Sequence, residues 1–432
     1  MLCNALLLNP DTRQVFVSLG FEGKACEKLK SDSPDDEFLV SRLLFLTTYG
    51  TDIDLAKLID DHDLAKSVAE ALGRHARRLS SKAPGKASPD PMADMALIET
   101  LKLQFNVTRF CDTHVDAFTP TIPHIVALLR TLDIQPTAPL SPPIGSLINA
   151  LMNLNLTHPL AQSSLCPPES EGSDLLGPTN RLIHLLDLSL KTCPDSELEQ
   201  TITPLVCVLS SIHELATKST AGDDAAASAT NPTLDKVRQL IRSSLLPTES
   251  DRSNVLGKGD TLASRLLRNS SNPVAPELRN AISHLLFDMS DRDASRFVKN
   301  VGYGYASGFL FQNNIPLMPE NPAEAFTSGG GGGGDGVSGG KHGKPVNPIT
   351  GQFLEAEKSP EMPEMTDEEK EREAEKLFVL FERSVFFALF FPPLTRSLHC
   401  PCTTFLKTSL YLLPRHCHIW MVLTGRDALC VG

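Results

Sequence analysis

The residues whose type and spacing could do chemistry fall at four places in this 432-residue chain. Gly302, Gly304 and Gly308 could cradle a phosphate, because glycines let backbone N–H groups close around a pyrophosphate. Their spacing is GxGxxxG, and they follow a helical pattern where a dinucleotide loop would follow a strand. The glycine run 329–334 lies before Lys341 and Lys344, but Asp335 and Ser338 stand where the first Walker glycine should be and neither lysine precedes Ser or Thr. His399, Cys400, Cys402, His416, Cys417 and His418 offer the imidazoles and thiolates that zinc prefers, yet Cys-x-Cys with His-Cys-His is no established finger spacing. Glu368 and Glu369 beside Thr366 read as a capped helix start and not as paired catalytic carboxylates. No Ser, His and Asp constellation emerges, so the expectation is a protein without catalytic residues, metal or cofactor.

Two kinds of residue suit the binding of another chain. Arg42 and Arg109 each interrupt or end an apolar helical pattern, where a guanidinium meets either a partner's carboxylate or an internal acid such as Asp52, Asp54 or Asp112. Asparagine recurs in a short pattern with a small or apolar residue after it, at Leu2-Cys3-Asn4-Ala5, Gln104-Phe105-Asn106-Val107, Leu147-Ile148-Asn149-Ala150 and Leu278-Arg279-Asn280-Ala281. An amide both donates and accepts, so such residues can line a groove that holds a segment of another protein, or they can satisfy neighbouring backbone. The candidate partner-binding residues are Asn4, Arg42, Asn106, Arg109, Asn149 and Asn153.

The elements that must position them are helices. Leu97, Leu101 and Phe105 share a helical spacing, as do Leu147, Leu151 and Leu154, and Val237, Leu240, Ile241 and Leu245. Helices this short cannot bury a face alone, so stacking is expected. Asn106 and Asn149 are 43 residues apart and Asn280 lies a further 131 on, which fits a period of about 40 to 47 residues, the armadillo or HEAT interval. The predicted fold is all-α: an armadillo/HEAT-like helical-repeat superhelix over 1–316, a Gly-rich linker over 317–346 and an acidic helical segment over 347–383. In that segment Ala374, Leu377, Phe378 and Phe381 form one stripe after the Thr366 cap. Between Gln352 and Arg383 eleven acidic residues face five basic ones, a net of −6 and half of the whole chain's −12. The last 49 residues, 384–432, hold four cysteines, three histidines and Trp420 without helical or strand period, and read as foreign to the rest, like translated intron.

Composition agrees. Hydrophobic residues make up 41% of the chain and aromatics only 6%, an aliphatic balance suited to helices. The net charge of −12 speaks against a broad phosphate-binding surface and for a protein partner. Single cysteines at Cys3, Cys26, Cys111, Cys166, Cys193 and Cys207 fit a reducing compartment. Met1–Leu8 has no secretory features and no stretch is long enough to span a bilayer, so the expected location is the cytoplasm.

Four stretches, taken together and in order, resemble synembryn, the resistance-to-inhibitors-of-cholinesterase family, over about Met1 to Arg383. They are Ser41-Arg42-Leu43-Leu44-Phe45-Leu46-Thr47; Glu99 to Thr108; Leu246-Pro247 through Leu256-Gly257-Lys258-Gly259-Asp260-Thr261 to Gly302-Tyr303-Gly304 and Gly308-Phe309-Leu310; and Asn347-Pro348-Ile349-Thr350-Gly351 followed by Met365 to Glu371. The resemblance implies a superhelix that binds the α subunit of a heterotrimeric G protein in its GDP form, promotes GDP release, holds the empty subunit and chaperones newly made subunits. It also implies that a concave groove captures the subunit's C-terminal helix, that the segment after the repeats assists, and that the subunit can bring the protein to the cell cortex or plasma membrane. An armadillo-type scaffold or transport adaptor without exchange activity is the competing reading. The resemblance implies a start inside a repeat, and the chain departs from the family in reading Gly304-Tyr305-Ala306-Ser307-Gly308 where the family has Gly-Asn-Ala-Ala-Gly. Thr327, Ser328 and Ser338 are the only hydroxyls where some animal members carry phosphosites, and no phosphosite is carried over.

Overall fold

A computed structural model describes residues 1–80, 90–166, 176–218, 232–316, 346, 347, 349–356, 371, 372, 375 and 376. Contacts divide the chain into two units, Met1–Lys358 and Ser359–Gly432. In the second, Glu371, Arg372, Glu375 and Lys376 are helical and exposed, whereas the predicted cap at Thr366 and the stripe from Ala374 to Phe381 lie outside the described residues. So do the glycine run and the whole His- and Cys-bearing tail.

The first unit is all-α, and its one bridge of strand type among the described residues joins Val346 and Phe353. Its helices are α1 (Leu2–Leu8), α2 (Asp11–Ser18), α3 (Phe21–Leu29), α4 (Pro34–Thr47), α5 (Leu55–Asp60), α6 (Leu64–Ser80), α7 (Pro91–Phe110), α8 (Ile122–Thr131), α9 (Ile144–Met152), α10 (Pro159–Leu165), α11 (Gly177–Thr192), α12 (Leu198–Lys218), α13 (Pro232–Leu245), α14 (Leu262–Asn269), α15 (Pro276–Met289), α16 (Ala294–Val301) and α17 (Tyr303–Gln312). Short 3-10 turns stand at Asp112–Thr121, Asp251–Ser253 and Leu354–Ala356. The starts are written locally. Ser33 accepts from the Asp36 N–H ahead of Pro34, Asp90 from the Ala93 N–H ahead of Pro91, and Thr261 and Asp293 cap α14 and α16 in the same way. Each satisfies a donor the helix cannot, and a first-turn proline gives up an N–H that had no partner anyway.

The helices stack in two layers. In a front layer α1 touches α4, α4 touches α7, and the series continues through α9, α12 and α15. In a back layer α3 touches α6, and the series continues through α8 and α11 to α13 and α14. Between the layers run the pairs α3 with α4, α6 with α7, α8 with α9, α11 with α12 and α14 with α15, so each repeat is one helix of each layer. Leu44, Leu72, Leu101, Leu147, Leu185, Leu209 and Ile282 are buried along this seam, each stabilising the fold by roughly 1.5 to 3 kcal/mol. The stacking matches the expected helical-repeat superhelix, but its step does not match the asparagine spacing. Front-layer helices start at Pro34, Pro91, Ile144, Leu198 and Pro276, farther apart than an interval of about 40 to 47 residues allows. Asn149 on α9 and Asn280 on α15 are two steps apart, with α12 between them, and not three. The extra length is taken up by α5, the 112–121 turn and α10, which pattern counting cannot separate from a repeat.

Residues 346, 347 and 349–356 are fastened to the end of the repeats. The Asn347 side chain accepts from the Ile349 N–H (2.9 Å) and its carbonyl from the Gly351 N–H (2.8 Å), closing a tight turn. The Ile349 carbonyl accepts from Gly304 N–H and the Thr350 carbonyl from Leu256 N–H, both at 3.3 Å. Arg252 gathers the rest, donating to the carbonyls of Gly351 (3.0 Å), Lys299 (3.1 Å) and Asn300 (2.9 Å). Gly302 has φ +82°, and a Cβ there would stand 3.3 Å from the Gly351 nitrogen and the Ile349 carbonyl. The glycines of Gly302-x-Gly304 therefore admit a second stretch of this chain's own backbone, which fills the space a phosphate would need.

Candidate partner-binding face

Along α4 and just past its end, Phe38, Arg42, Phe45 and Tyr49 are partly exposed at spacings of four, three and four. They share a face distinct from the buried one of Val40, Leu44 and Thr47. On α7 the matching stripe is Ile98, Lys102, Phe105 and Arg109, ending at Phe110, which is 51% exposed. On α9 it is Asn149 and Met152. The stripes meet. Tyr49 lies edge-on to Phe45 at 5.3 Å and to Phe110 at 6.2 Å, and the Arg42 guanidinium lies 5.8 Å over Phe38.

The charge on this face is mainly positive. Glu99 is buried between α4 and α7, where one carboxylate oxygen accepts from Arg42 (3.4 Å) and Lys102 (3.0 Å). Arg109 has no ion pair among the described residues. Two cations thus share one buried carboxylate and a third, Arg109, has none, on a surface made mostly of aromatic and aliphatic side chains. Farther along the front layer the partly exposed residues change character, to Ser210 and Glu214 on α12 and to Asn280 and Asp288 on α15.

Beneath the face, side chains bolt α4 to α6 and α7. Glu37 is 3% exposed and meets His75 Nε2 at 2.8 Å, the Thr100 hydroxyl at 2.9 Å and Arg74 at 3.3 Å, while Thr100 also meets Ser41 at 2.9 Å. Burial raises the Glu37 pKa, but the hydrogen bond and charge of His75, the Thr100 hydroxyl and Arg74 outweigh it, leaving the carboxyl below its ordinary value. Such a network holds one arrangement, because each member left unpaired in the interior would be costly.

The six predicted residues lie on the front layer, in three situations. Asn4 on α1 is exposed, and Asn149 is partly exposed with no hydrogen-bond partner among the described residues. Asn106 is 2% exposed and internal: its Nδ2 donates to the Thr48 hydroxyl (2.8 Å) and its Oδ1 accepts from the Tyr49 hydroxyl (3.4 Å). Asn153, at the end of α9, donates to the Phe105 carbonyl (3.1 Å) and the Thr108 hydroxyl (3.2 Å). Arg42 meets Glu99 and neither Asp52 nor Asp54, since Asp52 is held by Gln14 and Asp54 caps α5. Arg109 stands between Phe105 and Phe110. Motif reading does not single out Phe38, Phe45, Tyr49, Phe105 and Glu99 as binding residues; the available signal is that α4 has a second apolar row beside its core row. Among the described residues no group of three or more His, Cys, Asp or Glu could hold a metal, and no helix is long and apolar enough to cross a membrane.

Comparison with known proteins gives a consistent result. The family profile described as guanine nucleotide exchange factor synembryn matches residues 1–385. A synembryn-like chaperone of Schizosaccharomyces pombe is 23% identical over 300 residues, 67% of this chain and 52% of the relative. Chaperone Ric-8A of Danio rerio is 26% identical over 297 residues, 66% of this chain and 49% of the relative. Chaperone Ric-8A of Xenopus laevis is 31% identical over 148 residues, 34% of this chain and 26% of the relative. The chain spans about half the length of the first two.

Proposed function

The chain belongs to the family of the guanine nucleotide exchange factor synembryn, and from that premise we propose that it binds the α subunit of a heterotrimeric G protein, speeds release of its GDP and holds the emptied subunit as a chaperone. The observation that carries this reading is the aromatic and basic face on α4, α7 and α9, whose shape is fixed by the ties beneath it. A helix docked there lays its apolar side on Phe45, Tyr49, Phe105 and Phe110. Its C-terminal end, negative from the macrodipole and the chain carboxylate, meets Arg42, Lys102 and Arg109. Asn4 and Asn149 serve as polar contacts beside that helix, while Asn106 and Asn153 keep the face in shape.

Exchange then needs no nucleophile or proton transfer. Drawing the C-terminal helix of the α subunit onto this face favours the opened, empty state over the GDP state, and by linkage GDP affinity falls by the factor by which the empty state is preferred. The same preference makes the protein a holder of α subunits that have not yet taken up nucleotide. The test is GDP release from a purified α subunit with and without the chain, paired with a pull-down of the nucleotide-free subunit. Faster release and a complex dissolved by GTP are expected. A complex with no change in release would favour a peptide-binding scaffold, and neither would remove the proposal.

A further inference from the structure

Where α7 ends, three side chains from separate elements fall into line. Cys111 caps α7, His114 follows at a non-helical kink within the 112–121 turn, and Asp60 ends α5. The Cys111 sulfur lies 3.4 Å from His114 Nδ1, and His114 Nε2 lies 3.3 Å from an Asp60 carboxylate oxygen. A carboxylate at Nε2 fixes the tautomer with the proton on that nitrogen, which leaves the Nδ1 lone pair facing the thiol. Thr113 also presents its hydroxyl to Nδ1 at 2.8 Å, a contact in which Nδ1 accepts in this tautomer and would donate in the other. The three do not converge as a metal site would. They form instead the sequence of nucleophile, base and orienting acid that activates a thiol. Cys111 and His114 are both partly exposed, so a small reagent can reach the sulfur.

We propose that Cys111 is a reactive thiol, activated by His114 and Asp60, and is a site of oxidation by hydroperoxides. His114 Nδ1 takes the thiol proton, and the sulfur attacks one peroxide oxygen as the O–O bond breaks. The departing oxygen takes the proton back from His114 and leaves as water or an alcohol. Sulfur is thereby oxidised by two electrons to a sulfenic acid, and the peroxide is reduced by the same two. The other described cysteines lack such a base and have surroundings that keep them protonated: burial pushes the thiols of Cys26 and Cys166 up to about 12 and that of Cys207 to about 11, and raises those of Cys3 and Cys193.

The experiment is competitive alkylation of the folded full chain with iodoacetamide, read peptide by peptide by mass spectrometry, beside trapping of sulfenic acid with dimedone after hydrogen peroxide. Cys111 should alkylate about tenfold faster than Cys193 and should be the main dimedone adduct. His114→Ala should remove the advantage, and Asp60→Asn, at a largely exposed residue outside the core, should lower it in part. If Cys111 reacts no faster than Cys193, or keeps its advantage in both variants, the activated thiol is refuted.

Discussion

Two of the places where this fold is tied across long sequence distances are tied in different ways. Between α4 and α7 the ties join side chain to side chain: Ser41 to Thr100, Arg42 to Glu99, Thr48 to Asn106 and Glu37 to Thr100. At the end of the repeats the ties are to backbone, where Arg252 and the N–H groups of Leu256 and Gly304 hold the carbonyls of the 347–351 turn, Lys299 and Asn300. Side-chain ties fix the register of two helices that already pack through a core, and so they set the fine shape of the face above them. Backbone ties hold a segment with little apolar surface to bury, and so they decide whether that segment is docked at all. The first region is therefore rigid by redundancy, and the second depends on a few groups.

Four pairs of substitutions test that contrast, taken from the largest expected effect to the smallest. Glu37→Ala removes the centre of the buried network and takes the carboxylate from His75, Arg74 and Thr100, and it should cost about 3 to 5 kcal/mol in urea unfolding. The folded Glu37 pKa lies below its unfolded value, so its stabilisation is present above the ordinary carboxylate range and is lost as pH falls through the lower folded value. Glu37→Gln should flatten that acid limb. If Glu37→Ala proves mild, redundancy among the other ties is greater than the contrast supposes.

Arg252→Ala orphans three carbonyls at once and should cost the 346–356 segment about 2 to 3 kcal/mol. The expected readout is faster hydrogen exchange at the amides of Gly351 and Phe353 with no change at α4 and α7. Gly351→Ala should do the same by another route, since φ is +69° and the new methyl would run into Leu256. Exchange that rises equally in both regions would dissolve the distinction.

Asn106→Ala should cost about 1 to 2 kcal/mol of stability, because the Thr48 and Tyr49 hydroxyls each lose a partner inside the layer. Asn149→Ala, with no internal partner to lose, should leave the unfolding midpoint in place and act only on binding. A stability loss in the second and none in the first would reverse the assignment of these two amides.

The smallest effect is on affinity. Arg109→Ala should weaken binding of a G protein α subunit about fivefold, near 1 kcal/mol, by fluorescence anisotropy or calorimetry, and the loss should shrink as salt is raised. Arg42→Ala should weaken it less, because its guanidinium already spends part of its charge on Glu99, where Lys102 remains. Equal losses would mean that Glu99 does not discount Arg42.

The contrast also marks how far the residues could be read in order. The sequence by itself determined that the chain is built of stacked amphipathic helices and that its likeness lies with synembryn; the caps at Ser33, Asp90, Thr261 and Asp293 and the turn at Asn347, which motif reading passed over, are just as local. These follow from neighbours a few positions apart: a cap reaches three residues on, an Asx turn two, and a core stripe repeats every three or four. Only the tertiary structure decided that Asn106 faces inward while Asn149 stays partly exposed, that Arg42 finds Glu99, and that Gly302 makes room for Gly351. It also decided that Asp60 meets a histidine beside Cys111, on the far side of α6 and α7 in the chain. The physical reason is that a helical period fixes which residues of one helix share a face, but not which helix lies against that face or at what height. That choice belongs to the stacking of the layers, and it assigned an internal or an outward role to residues of the same type on the same kind of helix.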